Sequence, residues 1–184
     1  LAQKASGQSK VCSYEGENTT VVLRDSEQTE LGIKHRTDHN GIEIKGLGTS
    51  LNTELKYSPF SGIIKLWSKW SSRQLKLDIQ TTTTIEKTRW LRRFDTSQAF
   101  PLELSLDTYE QPLLGHRTPS CDCNVELLQV ILPDKDKWWT LGFKAFSTLY
   151  NLEHSLQVTA KYLADRQPPL FERQPSSTYL AWLK

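Results

Sequence analysis

Polar and apolar residues alternate along this chain with a period of two, and one alternating face of each such segment is charged. In Gln28 to Arg36 (Q-T-E-L-G-I-K-H-R), Glu30, Lys34 and Arg36 fall on one side, while Leu31, Ile33 and His35 fall on the other. The pattern returns at Ile42 to Ile44, where Glu43 and Lys45 lie opposite the isoleucines, at Ile63 to Trp70 and at Glu86 to Arg93. That period belongs to β-strands, in which successive side chains point to opposite faces. The predicted strands are Thr19 to Leu23, Thr29 to Arg36, Gly41 to Leu47, Asn52 to Tyr57, Ile63 to Trp70, Gln74 to Thr82, Ile85 to Phe94, Leu102 to Leu106 and Asn124 to Leu132. Short turn signals separate many of them, among them Asp38-His39-Asn40-Gly41, Ser58-Pro59-Phe60-Ser61-Gly62 and Pro133-Asp134-Lys135. Connections this short favour hairpins over crossover helices and predict an antiparallel, meandering sheet.

The last third changes character. Trp138 to Phe146 (W-W-T-L-G-F-K-A-F) suits a strand or a short helix. Asn151 is the predicted N-cap of a helix over about 151–165, in which Leu152, Leu156, Ala160 and Leu163 recur at helical spacing. Pro168 and Pro169 cannot continue it. The resulting organisation is a loose polar arm over 1–17, one β-barrel-like domain over 18–166, and a tail over 167–184. That tail holds Pro168, Pro169 and Pro175, then Tyr179-Leu180-Ala181-Trp182-Leu183. Its apolar end is expected to dock on the body or to engage a protein partner. The fold class expected is mainly β (α+β): an antiparallel sheet closing into a barrel or tunnel, with a C-terminal helix.

Composition narrows the functional classes. The chain has 184 residues, enough for one sizeable core. Its apolar fraction of 37% is low, as a β-rich protein with one polar sheet face would give. A net charge of +2 without a concentrated basic stripe argues against nucleic acid as a partner. No run approaches the roughly 18 apolar residues of a membrane span, and no signal-peptide pattern opens the chain. A soluble, cytoplasmic rather than secreted protein is the expectation. Cys12, Cys121 and Cys123 are odd in number, and Cys121-Asp122-Cys123 is one residue short of the C-x-x-C spacing. Plain thiols are expected, with a bridge from Cys12 to either of the others left open.

Two kinds of chemistry remain. Lys87, Arg89 and Arg93 share one face of their strand, and Lys65 and Lys69 flank Trp67. If these strands neighbour Lys34, Arg36 and Lys45, the cations converge into a site for a phosphorylated anion, since Arg offers planar bidentate donors and Lys a mobile charge. Carboxylates interleave with them: Glu30, Glu43, Glu86, Glu103, Asp107 and Glu126. Such residues either hold a hard divalent cation or form cross-strand ion pairs. The bland alternative is a solvated exterior face. The second kind is apolar: Trp67, Trp70, Trp90, Trp138 and Trp139 would line a pocket for a small organic ligand or a partner. No G-x-x-x-x-G-K-S/T loop and no G-x-G-x-x-G turn is present.

Two stretches resemble the triphosphate tunnel metalloenzyme (CYTH-like) family. One is Thr29 to Leu47, through Glu30, Lys34 and Lys45. The other is Leu102 to Leu132, through Leu102-Glu103-Leu104-Ser105-Leu106-Asp107, Gly115 and Asn124-Val125-Glu126-Leu127, followed by the predicted helix. The resemblance implies an antiparallel β-tunnel that binds triphosphate-bearing substrates. It casts Lys34, Arg36, Lys45, Lys65, Arg89 and Arg93 as phosphate contacts, and Glu30, Glu43 and Glu126 as ligands of magnesium or manganese. The family's opening E-x-E-x-K is broken here. Gly32 takes the second acidic position in Glu30-Leu31-Gly32-Ile33-Lys34, and Gly41 the first in Gly41-Ile42-Glu43-Ile44-Lys45. Losing one of two paired carboxylates weakens metal binding. Three functional readings follow: a non-catalytic β-barrel with a Trp-rich ligand pocket, a metal-dependent triphosphate-binding or phosphohydrolase protein of the tunnel type, and a structural or assembly subunit.

Overall fold

A computed structural model describes residues 13–14, 20–23, 31–36, 41–74, 82–113, 119–132, 134, 136–168 and 170. Its elements in chain order are β1 (Ser13–Tyr14), β2 (Thr20–Leu23), β3 (Leu31–Arg36), β4 (Gly41–Tyr57), β5 (Phe60–Ser72), β6 (Thr82–Asp95), β7 (Leu102–Leu104), β8 (Asp122–Ile131), β9 (Lys137–Phe146) and α1 (Leu149–Ala164). The fold is mainly β, with antiparallel pairing throughout and one helix after the strands. Two sheets share the long strand β6. Thr82 to Ile85 pair with β2, and Glu86 to Asp95 pair with β8. The connected order is β5-β4-β3-β2-β6-β8-β9, with β1 and β7 also pairing to β6. Among the described residues no pairing joins β5 to β9, so a closed barrel is not observed.

Several elements differ from the alternation-based expectation. Gly41 to Leu47 and Asn52 to Tyr57 belong to one 17-residue strand, β4. Gly48 and the polar Thr49-Ser50 read as a turn, yet register shifts at Leu47/Thr49 and Ser50/Glu54 absorb the extra residues while the ladder with β5 continues. Bulges do this by leaving a residue unpaired without ending the strand. Thr82 to Thr84 open β6, as suits their branched side chains. The aromatic stretch near Trp138 is a strand, β9. The helix starts two residues before Asn151, with Thr148 as N-cap. Asn151 instead turns its side-chain amide toward Cys121 Sγ (3.4 Å) and Thr148 Oγ1 (3.4 Å). Ser13 and Tyr14, within the expected N-terminal arm, pair with Trp90 and Arg89. The rest of that arm, the expected strand residues 75–81 and the aromatic end of the tail lie outside the described residues.

The core forms where α1 crosses the sheet. Phe94, Val125, Leu55, Phe60, Ala160 and Leu163 pack together, with Tyr57, Phe143 and Tyr162 against them. Phe60 meets Phe143 edge-on at 5.1 Å, and Phe94 meets Tyr162 at 5.7 Å. The buried stripe of α1 includes Ser155 and Thr159 as well as Ala160 and Leu163. Small side chains let the helix approach closely, and Ser155 Oγ bonds Thr96 Oγ1 at 2.8 Å. Cys121 and Cys123 are free thiols, and burial pushes the Cys123 thiol up to about 12. Among the described residues no helix is long and apolar enough to cross a membrane.

Candidate functional site

Register converts the alternation of single strands into one continuous face. On β6 that face carries Lys87, Arg89, Leu91 and Arg93; β8 presents Val130, Leu128, Glu126 and Asn124 directly opposite them. Lys144 of β9 pairs with Asn124, and Gly142 with Glu126. Followed the other way, β6 leads through β2 and β3 to Glu43 and Lys45 of β4, and then to Ser71, Lys69 and Trp67 of β5. The two halves of the chain therefore contribute charges to the same side of the sheet.

The centre of this face is Glu126. Its side chain is 5% exposed, and both Lys144 Nζ and Arg89 reach its carboxylate, the latter at 3.6 Å. Burial alone would raise the Glu126 carboxyl; attraction first by Lys144, then by Arg89 and Lys45, outweighs it and holds the group below the usual carboxylate range. The part played by Lys45 is informative about shape. Four strand spacings separate β4 from β8 in the sheet order, about 19 Å if the sheet were flat. A charge that far away would be felt only weakly. The sheet is not flat: Phe60 of β5 and Phe143 of β9, on strands at opposite ends of the order, meet at 5.1 Å.

Around Glu126 the other charges are also partnered. Arg93 binds Asp122, whose side chain is 3% exposed. Asp122 shifts the opposite way from Glu126: burial raises its carboxyl more than Arg93 lowers it. Lys69 pairs with Glu43 at 2.6 Å. Arg89 also binds Glu110, from the turn after β7. Asn124 Oδ1 is buried without a hydrogen-bond partner, in register between Arg93 and Lys144. Beside Glu126, a side chain built on Gly142 would meet no atom within 4 Å, so the face opens there onto free space.

No family model, curated protein or solved structure matches the chain.

Of the six expected phosphate contacts, Lys45, Arg89 and Arg93 lie on this face. Backbone register places Lys34 opposite Glu43 and Arg36 opposite Gly41, on the same alternating set. Lys65 lies beyond the register shift, paired with Ser50 and exposed. Of the expected metal ligands, Glu43 and Glu126 share the face and Glu30 lies outside the described residues. The five tryptophans are divided. Trp67 and Trp138 belong to the charged side, whereas Trp70, Trp90 and Trp139 alternate to the other. Trp90 stacks on Trp139 at 5.4 Å, and Trp139 remains 53% exposed.

Sequence reading missed Lys144, Asp122, Asn124 and Glu110. Lys144 was visible in the alternation of Trp138 to Phe146 once that stretch is taken as a strand. Asp122 was hidden between two cysteines. Glu110 has no periodic signal, because a turn delivers it. A separate cleft, lined by Thr96, Ser97, Cys121, Asn151 and His154, brings a thiol and an imidazole to one surface. Cys121 Sγ accepts a hydrogen bond there from Ser147 Oγ at 3.1 Å.

Proposed function

We propose that the charged face is the concave one, that it binds a small phosphorylated polyanion, and that the sheet encloses this ligand as a tunnel. The observation that carries this reading is the convergence of Arg89 and Lys144 on the buried Glu126, on a face that register extends to Lys45 and Lys69. On the described strands, Lys45, Lys69, Lys87, Arg89, Arg93 and Lys144 outnumber Glu43, Asp95, Asp122 and Glu126. Such a face holds net positive charge in a partly desolvated setting, where Arg and Lys act more strongly on phosphoryl oxygens than in water. The carboxylates order the cations before a ligand arrives. An anion entering beside Gly142 meets Arg89, Lys144 and the Asn124 amide, whose oxygen and nitrogen exchange by rotation.

The resemblance to tunnel enzymes implies magnesium or manganese. Glu43, Asp122 and Glu126 are each engaged by cations, and among the described residues no group of three or more His, Cys, Asp or Glu is arranged to hold a metal. The reading therefore concerns binding and routes no step through a metal.

Thermal unfolding with inorganic tripolyphosphate tests it. A saturable rise in melting temperature is expected, about 2.7 kcal/mol of stabilisation at a hundredfold excess over Kd. A rise no larger than sodium chloride gives at equal ionic strength would remove the reading. The stacked Trp90–Trp139 pair favours a second one, an organic ligand or partner on the opposite face. Saturable quenching of tryptophan fluorescence by an apolar ligand, without any tripolyphosphate effect, would support that instead.

A further inference from the structure

The turn that delivers Glu110 is built in an unusual way. Asp107 and Gln111 face each other, with Asp107 N donating to Gln111 O at 2.8 Å, and Glu110 N donates to Asp107 O at 3.1 Å. The Asp107 carboxylate also accepts from the backbone N–H groups of Tyr109 (2.8 Å) and Gln111 (2.9 Å). Three residues, Thr108-Tyr109-Glu110, therefore close a tight loop whose last member has φ of 62°. In such loops this left-handed position is the one where glycine is normal. Glutamate there is strained, and a strained residue that persists points to a use for its side chain.

The use is visible in the partner. The Glu110 carboxylate binds Arg89 Nη2, while Arg89 Nη1 faces the buried Glu126. The base of the loop is fixed on the same face: Leu104 and Leu106 pack on Leu91, which lies between Arg89 and Arg93 on β6. Of the two carboxylates on Arg89, Glu126 is held within a paired strand by Lys144 as well. Glu110 stands at a loop tip beside the 80% exposed Tyr109.

We propose that Glu110 is a built-in competitor, an autoinhibitory carboxylate that occupies Arg89 until a phosphorylated ligand displaces it. This rests on the anion-binding reading above and adds a control to the same site. Ligand phosphate would exchange with Glu110, at the loop tip, and leave Glu126 in place.

Titration calorimetry with inorganic tripolyphosphate on the wild type, Glu110→Gln and Glu110→Gly tests the proposal. Glu110→Gln removes the charge and keeps the side chain's bulk; Glu110→Gly removes both and suits the left-handed turn. Both variants are expected to bind about tenfold more tightly than the wild type, because a part-exposed ion pair and a like-charge repulsion are lost together. Tighter binding by both, with Glu110→Gly melting no lower than Glu110→Gln, supports the competitor. Saturable wild-type binding that both variants match or weaken overturns the competitor and leaves the anion site standing. Failure of all three proteins to bind overturns the anion site, and the competitor with it.

Discussion

Replacing Phe94 by alanine is expected to cost about 3–5 kcal/mol of stability, the range for deleting a buried aromatic side chain. Phe94 is fully buried and packs with Leu55, Phe60, Val125, Ala160 and Leu163. Tyr162 meets its ring edge-on, and the Arg92 guanidinium lies 5.2 Å from its centroid. It joins β6, the β4–β5 hairpin and α1 in one cluster, so a cavity there cannot be filled by one neighbour alone. The loss is a fifth or more of what a domain typically has, which is about 5–15 kcal/mol. Urea unfolding should show a lower midpoint at unchanged slope. Because Phe94 alternates away from Arg93, the folded variant should still bind anions as the wild type does. A loss under about 1 kcal/mol would contradict the packing described.

The second large effect is at Arg93. Asp122 is nearly inaccessible, and Arg93 is the cation that binds it. Arg93→Ala leaves that carboxylate buried and unpaired, at a cost of about 3 kcal/mol near neutral pH. The sign of the pH dependence follows from linkage. Burial already raises the Asp122 carboxyl in the presence of Arg93, and without Arg93 it must rise further. A carboxylate whose folded value lies above its unfolded value loses stability as pH climbs from the ordinary range near 3.8 through the folded value. The deficit of Arg93→Ala should therefore shrink on moving from about pH 7 to about pH 5. Adding Asp122→Asn should recover much of it, because the orphan charge is gone. A deficit that is independent of pH and unrelieved by Asp122→Asn would place the cost elsewhere. Arg93 is thus first a partner of Asp122, and its share in ligand binding comes through the field of the cluster.

The alternation of polar and apolar residues carried much of this architecture. Glu43 with Lys45, and Lys87 with Arg89 and Arg93, share faces as their spacing implied, and the helix ends at Ala164 before Pro168. What was not legible depends on distant parts of the chain. The continuity of β4 through Gly48 is decided by its ladder with β5, not by local turn chemistry. That the charges of β4 and β8 fall on one side of the sheet depends on strand order and register, to which local periodicity is blind. The helix begins at Leu149, after Thr148, and the Asn151 amide lies against Cys121 instead of capping it. Glu110 sits where the backbone asks for glycine, so local preference pointed away from it.

On the proposed reading, charges far apart along the sheet meet at one anion. Tripolyphosphate affinity of Lys45→Ala, Arg89→Ala and the double variant tests it most directly, with Lys56→Ala as a control at the exposed far end of β4, where Lys56 pairs with Glu54. Each of the first two is expected to weaken binding about tenfold, the double variant to depart from additivity, and Lys56→Ala to match the wild type. Lys45→Ala binding like Lys56→Ala, with only Arg89→Ala impaired, would mean that β4 does not reach the ligand and would contradict the concave charged face.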